Sequence, residues 1–88
     1  MNRYKRKEFH EVMQVDNEWI ILNLKDYTAT TVNEVGNFCW NELAASHSSE
    51  EIVRKVKDQY DIDEEQIEED ITLFLEILHQ CGLVENAG

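Results

Sequence analysis

The chain has 88 residues, 42% of them hydrophobic and 31% charged; this supports one small packed core and excludes both a two-domain enzyme and a wholly disordered chain. Eight Lys and Arg stand against nineteen Asp and Glu, a formal net charge of -11, and a surface of that sign repels nucleic-acid phosphates and favours a basic partner. No apolar run approaches the roughly 20 residues that cross a bilayer, and no apolar stretch follows the basic start, so the chain reads as cytoplasmic, with neither membrane nor nucleic acid as a partner.

Residues 1–8 form a basic N-terminal segment in which Arg3, Lys5, Arg6 and Lys7 hold half of all the basic residues. A single domain follows over residues 9–84, and residues 85–88 read as a flexible C-terminus. From Phe9 to Val15 apolar and polar residues alternate imperfectly, which predicts a strand. Asp16-Asn17-Glu18 supplies turn chemistry, and Trp19 to Leu24 is aromatic and β-branched enough for a central strand. After Lys25-Asp26, the stretch Tyr27-Thr28-Ala29-Thr30-Thr31 combines strong β propensity with few large apolar groups, as suits an edge strand with one wall half open.

Three helices follow. Thr31 and Glu34 have the spacing of a capping box, so the first helix is expected to start there, with Val35, Phe38, Cys39 and Leu43 as its apolar stripe. Gly36, four residues before Trp40, costs helix propensity and implies a close approach by another element. Ser48 and Glu51 repeat the capping box for a second helix that ends near Tyr60, with Ile52, Val53 and Val56 inward and Arg54, Lys55 and Lys57 outward. Asp63 caps the third and longest helix, acids fill its first turns, and Gly82 stops it in the left-handed conformation.

At about 100° per residue, the apolar side chains of the third helix span roughly 200°, twice what one buried face needs. Either the helix is sandwiched between two layers or part of this surface is a wall for a ligand. Asp70 falls inside that apolar sector, between Ile67 and Phe74, where a buried carboxylate needs a partner. It is either satisfied within the fold or receives a cation from a bound peptide. The expected fold is therefore α+β, a winged-helix-like three-stranded antiparallel meander followed by three α-helices.

Chemistry is sparse. Cys39 shares the inward stripe of its helix, where a thiol is inert, and Cys39 and Cys81 lie far apart without a CxxC pair, so both are expected reduced. The three His and two Cys are scattered over separate elements, so no metal or other cofactor is expected. No phosphate loop, HExxH or nucleophile elbow exists, and the chain reads as a non-enzyme. A winged helix suggests DNA binding, but the third helix presents Asp63, Glu64, Glu65, Glu68, Glu69 and Asp70 where a DNA reader carries Arg, Lys, Asn or Gln.

Three segments stand in a telling order: Val32-Asn33-x-x-Gly36-x-x-x-Trp40, then Ser49-Glu50-Glu51-Ile52, then Asp70-Ile71-x-x-Phe74-Leu75-x-x-Leu78 ending in Gly82-Leu83-Val84. With the preceding meander they resemble the PqqD-like family, the recognition elements for ribosomally made, post-translationally modified peptides. The likeness covers residues 9–84. Val32 replaces the usual Leu, and Cys39 stands where an aliphatic residue is common. The resemblance implies a non-catalytic adaptor that binds the leader segment of a precursor peptide and presents it to a processing or modifying enzyme. It implies that the leader adds as a strand beside Tyr27, Thr28, Ala29, Thr30, Thr31 and Val32, against a wall of Ile67, Asp70, Ile71, Phe74 and Leu78. A stand-alone protein of this size is similar to the leader-binding component of split lasso-peptide systems, whose partner is a separate leader-cleaving cysteine protease; systems built on a radical enzyme are the alternative. From the residues alone, an acidic winged-helix interaction module without a peptide substrate stands beside this reading.

Overall fold

The computed structural model describes residues 2–87; Met1 and Gly88, at the ends of the two terminal segments, and the side chain of Glu64 lie outside the described residues. The elements run β1 (Arg3–Arg6), β2 (His10–Val15), β3 (Glu18–Asn23), β4 (Thr28–Val32), α1 (Glu34–Glu42), β5 (His47–Ser48), α2 (Ser49–Tyr60), α3 (Glu64–Gln80) and β6 (Val84–Asn86). The fold is α+β, with two antiparallel sheets ordered β2-β3-β4 and β5-β1-β6.

The meander matches the expectation in order and nearly in boundaries. The β4 strand begins at Thr28, because Tyr27 belongs to the preceding turn, with φ 58° and its N–H donating to the Asn23 carbonyl. Register pairs Trp19 with Val32, Ile21 with Thr30 and Asn23 with Thr28, and on the other side Ile21 with Val12. Ile21, Asn23 and Val32 are buried, so this face of the sheet meets the helices.

The second sheet corrects the division of the chain. The N-terminal segment is not set apart from the domain: Tyr4 pairs with both His47 and Asn86, and Arg6 with Val84. The C-terminal stretch likewise supplies β6, so residues 85 and 86 are paired. Lys5 opposite Glu85 places opposite charges across neighbouring strands. Arg3 bridges to Glu51 at 2.8 Å and donates to Ser46 Oγ and the Ser46 carbonyl, so much of its charge is spent inside the fold.

The helices differ from expectation at one cap. Thr31 lies within β4, opposite Ile20, and α1 is capped by Asn33, whose Oδ1 accepts the Gly36 N–H at 2.9 Å. Asn caps as well as Thr does, and it is the first residue free of the strand. The Ser48–Glu51 capping box opens α2 and Asp63 opens α3 as expected. Gly82 has φ 74°, a conformation that disfavours any side chain. Both cysteines are free thiols, and Cys39 is buried.

The core joins Ile21, Trp40, Leu43, Ile52, Val56, Leu75, Leu78 and Leu83. On α3 only half of the wide apolar sector is spent on it: Ile67, Ile71, Leu75 and Leu78 are buried, whereas Leu73 and Ile77 are 52% and 49% exposed. The helix is not sandwiched. Among the described residues, no helix is long and apolar enough to cross a membrane.

Candidate functional site: a groove between an edge strand and two helices

The chain leaves β4 at Val32 and turns at once into α1, and α3 runs past this corner. A hollow of about 420 Å³ opens there. Thr31, Val32 and Asn33 form its strand side, Val35, Gly36 and Cys39 its α1 side, and Ile67, Asp70, Ile71 and Phe74 its α3 side.

Gly36 sets how closely the elements meet at this corner. A Cβ built on it would lie 2.9 Å from Val32 Cβ, so glycine lets the first turn of α1 approach β4 this closely; the tip of Phe74, 3.4 Å from the same point, would be in ordinary contact. The close approach implied by the sequence is to Val32. The opposite end of β4 is fixed by Asn23, which is 4% exposed. Its Nδ2 donates to the Cys81 carbonyl at 3.0 Å, and its Oδ1 accepts the N–H groups of Lys25 and Asp26. This one side chain ties the β3–β4 turn to the C-terminal end of α3.

The structure sorts the expected site residues. Thr31, Val32, Ile67, Asp70, Ile71 and Phe74 meet at the hollow. Thr28, Ala29 and Thr30 continue along β4, an edge of its sheet, where every second backbone N–H and C=O is turned away from β3. Tyr27 stands in the turn, 91% exposed. Leu78 is fully buried and does not line the hollow; it supports α3 from the core. Asn33, Val35, Gly36 and Cys39 form a wall that the sequence reading did not assign, although Gly36 signalled it.

Asp70 is exposed, not buried, so no internal partner is required; among the described residues no hydrogen bond or ion pair holds its carboxylate. Among the described residues it is the sole acid lining the hollow, a carboxylate at an otherwise largely apolar lip. Cys39 closes the floor. Burial pushes its thiol up to about 12, with Glu42 adding to the effect against a backbone hydrogen bond that opposes it. It stays protonated at physiological pH and is a small apolar filler there. Among the described residues no group of three His, Cys, Asp or Glu could hold a metal ion. What the site offers is recognition: unpaired strand backbone, an apolar trough and one carboxylate.

Comparison with known proteins agrees with this geometry. A family described as coenzyme PQQ synthesis protein D (PqqD) matches residues 18–84. The chain is similar to TbiB1, solved in complex with the TbiA(beta) leader peptide, with 27% identity, 96% of this chain and 98% of that chain covered, and a TM-score of 0.77. It also shares its fold with a lasso peptide synthetase B1 complexed with the leader peptide, at 17% identity, with 93% and 96% of the two chains covered and a TM-score of 0.74. No curated protein matches significantly.

Proposed function

The chain belongs to the PqqD family, and from that premise we propose that it is a non-catalytic adaptor for the leader segment of a ribosomally made precursor peptide in lasso-peptide biosynthesis. The leader adds as a strand to the free edge of β4 and sets its anchors into the trough between α1 and α3. The adaptor then delivers the peptide to a separate leader-cleaving cysteine protease.

The observation that carries this reading is the coincidence of a free strand edge with an apolar trough at one corner of the fold. Main-chain pairing to an edge strand supplies affinity that depends little on sequence, and specificity comes from pockets that take alternate side chains. Here Phe74, half-buried, and Ile71, 3% exposed, form the pocket wall, and the Asp70 carboxylate suits a Lys or Arg of the peptide. The similarity to TbiB1, a protein solved with a leader peptide, supports the same ligand class.

Titration of the purified protein against a labelled synthetic leader, taken from its cognate precursor, tests the proposal by fluorescence anisotropy. A saturable isotherm with one site per chain is expected. A chain that is folded by circular dichroism but leaves the leader anisotropy unchanged would refute it and return the acidic interaction module without a peptide substrate.

A further inference from the structure

The three-stranded sheet carries apolar side chains on both faces, which is why β2 alternates so imperfectly. One face, with Ile21 and Val32, packs on the helices. On the other, register places Met13 opposite Ile20, and Ile20 opposite Thr31; Leu22 sits opposite Ala29. Phe9 and Leu24 extend this face beyond the strands, the Leu24 N–H donating to the Phe9 carbonyl. Phe9 is 68% exposed, Met13 and Val15 are both 48% exposed and Leu24 is 44% exposed. A contiguous apolar patch of this kind on a small, highly charged protein marks an interaction surface.

Two further features specify what fits it. At the β2–β3 turn the face dips into a hollow of about 340 Å³ whose apolar lining is Val15 and Ile20 and whose charged lining is Asp16 and Glu18. Glu11, opposite Leu22, adds another acid on the same face. A second copy of this chain, with a net charge of -11, brings acids against acids, whereas Lys and Arg side chains match both the apolar floor and the acidic edge. The face is also continuous with the proposed peptide site. A strand added to β4 points alternate side chains into the α1–α3 trough and the intervening ones onto this face, beside Ala29 and Thr31.

We propose that this outer sheet face, from Met13 and Val15 to Ala29 and Thr31, docks the enzyme that acts on the bound peptide, through an apolar patch edged with Lys or Arg. The proposal rests on the peptide-binding reading and adds the partner's site to it. The enzyme then touches adaptor and peptide together and prefers the loaded adaptor to the empty one; by linkage, the enzyme tightens peptide binding by the same factor.

The test uses the full chain, the labelled leader, and the cognate precursor and processing enzyme. Two double variants are made: Met13→Lys with Val15→Lys on the open face, and Asp16→Lys with Glu18→Lys in the exposed turn, the second guarding against misfolding of the first. Leader affinity is expected to stay within about twofold of the parent, while KM of the enzyme for the adaptor–precursor complex rises about tenfold or more, as for loss of a contact near the centre of an interface. Unchanged KM in both variants, with leader binding intact, overturns the docking surface and leaves the peptide-binding reading standing. A parent chain that is dimeric by sedimentation and becomes monomeric in the first variant assigns the face to a second copy and also overturns it. Failure of the parent to bind the leader overturns both.

Discussion

Phe74→Ala separates a binding contact from a folding contact. The ring is half-buried on α3 and its tip lies close to Gly36 at the far wall of the trough, so it closes the pocket without being part of the sealed core. Truncating a well-packed anchor contact costs about 2 kcal/mol of binding, roughly a thirtyfold rise in Kd. A fully buried Phe→Ala change costs about 3–5 kcal/mol of stability; Phe74 is only partly open to water and packs against the core, so most of that cost applies here. In a domain of this size each kcal/mol moves Tm by about 4–8 °C, so binding is read at a temperature where circular dichroism shows the variant folded. Leu78→Ala is the control. Its side chain is fully buried and outside the trough, so it loses about 2–5 kcal/mol of stability while the folded fraction keeps the parent Kd. Both are read by leader anisotropy alongside a thermal melt. A Phe74→Ala protein that is folded and binds within twofold of the parent refutes the assignment of the α1–α3 trough.

Gly36→Ala forces α1 away from Val32, since the new Cβ would stand 2.9 Å from the Val32 Cβ; a lower Tm is expected, by the overpacking cost of about 1–3 kcal/mol, together with weaker leader binding. Asn23→Ala removes three part-buried hydrogen bonds, to the Cys81 carbonyl and from the Lys25 and Asp26 N–H groups, so denaturant unfolding should show a loss of about 1–3 kcal/mol. Glu51 is held below the usual carboxylate range, first by the Ser48 backbone N–H and further by Arg3. Its folded pKa is lowered, so its contribution is present above the unfolded value and fades as pH falls through the folded value. The Tm gap between the parent and Glu51→Gln should therefore narrow between pH 6 and strongly acidic pH, and a gap independent of pH across that range would contradict this assignment.

Elements with local signals were legible in the sequence. The meander is written in β-branched and aromatic runs separated by turn residues, and α2 and α3 in the Ser48–Glu51 box and Asp63. The surplus apolar arc of α3 announced an open wall: Phe74 lines the trough, while Leu73 and Ile77 are exposed outside it. The second sheet was not legible. Its strands are two to four residues long, Arg3–Arg6 is polar, and its pairing joins Tyr4 to Asn86, a contact no local pattern encodes. Asn33 displaced Thr31 as a cap because the strand extends through Val32, a boundary set by pairing with Trp19. The α1 wall of the trough was half-visible: Gly36 declared a close approach but not its partner. The role of Asn23 depends on a carbonyl 58 residues away and left no mark in sequence.

The central claim is that the peptide lies along β4 against α3, and amide hydrogen exchange with and without the synthetic leader tests it most directly. Edge-strand amides that face solvent in the free protein become paired when a strand is added. Protection is predicted at alternate positions within residues 28–32 and around residues 67–74, with β3 already protected and little changed. The other free edge of this sheet, β2 at His10–Val15, should be unaffected by the leader alone. Protection confined to β2, or to the exposed face of α2 around Arg54, would contradict the account.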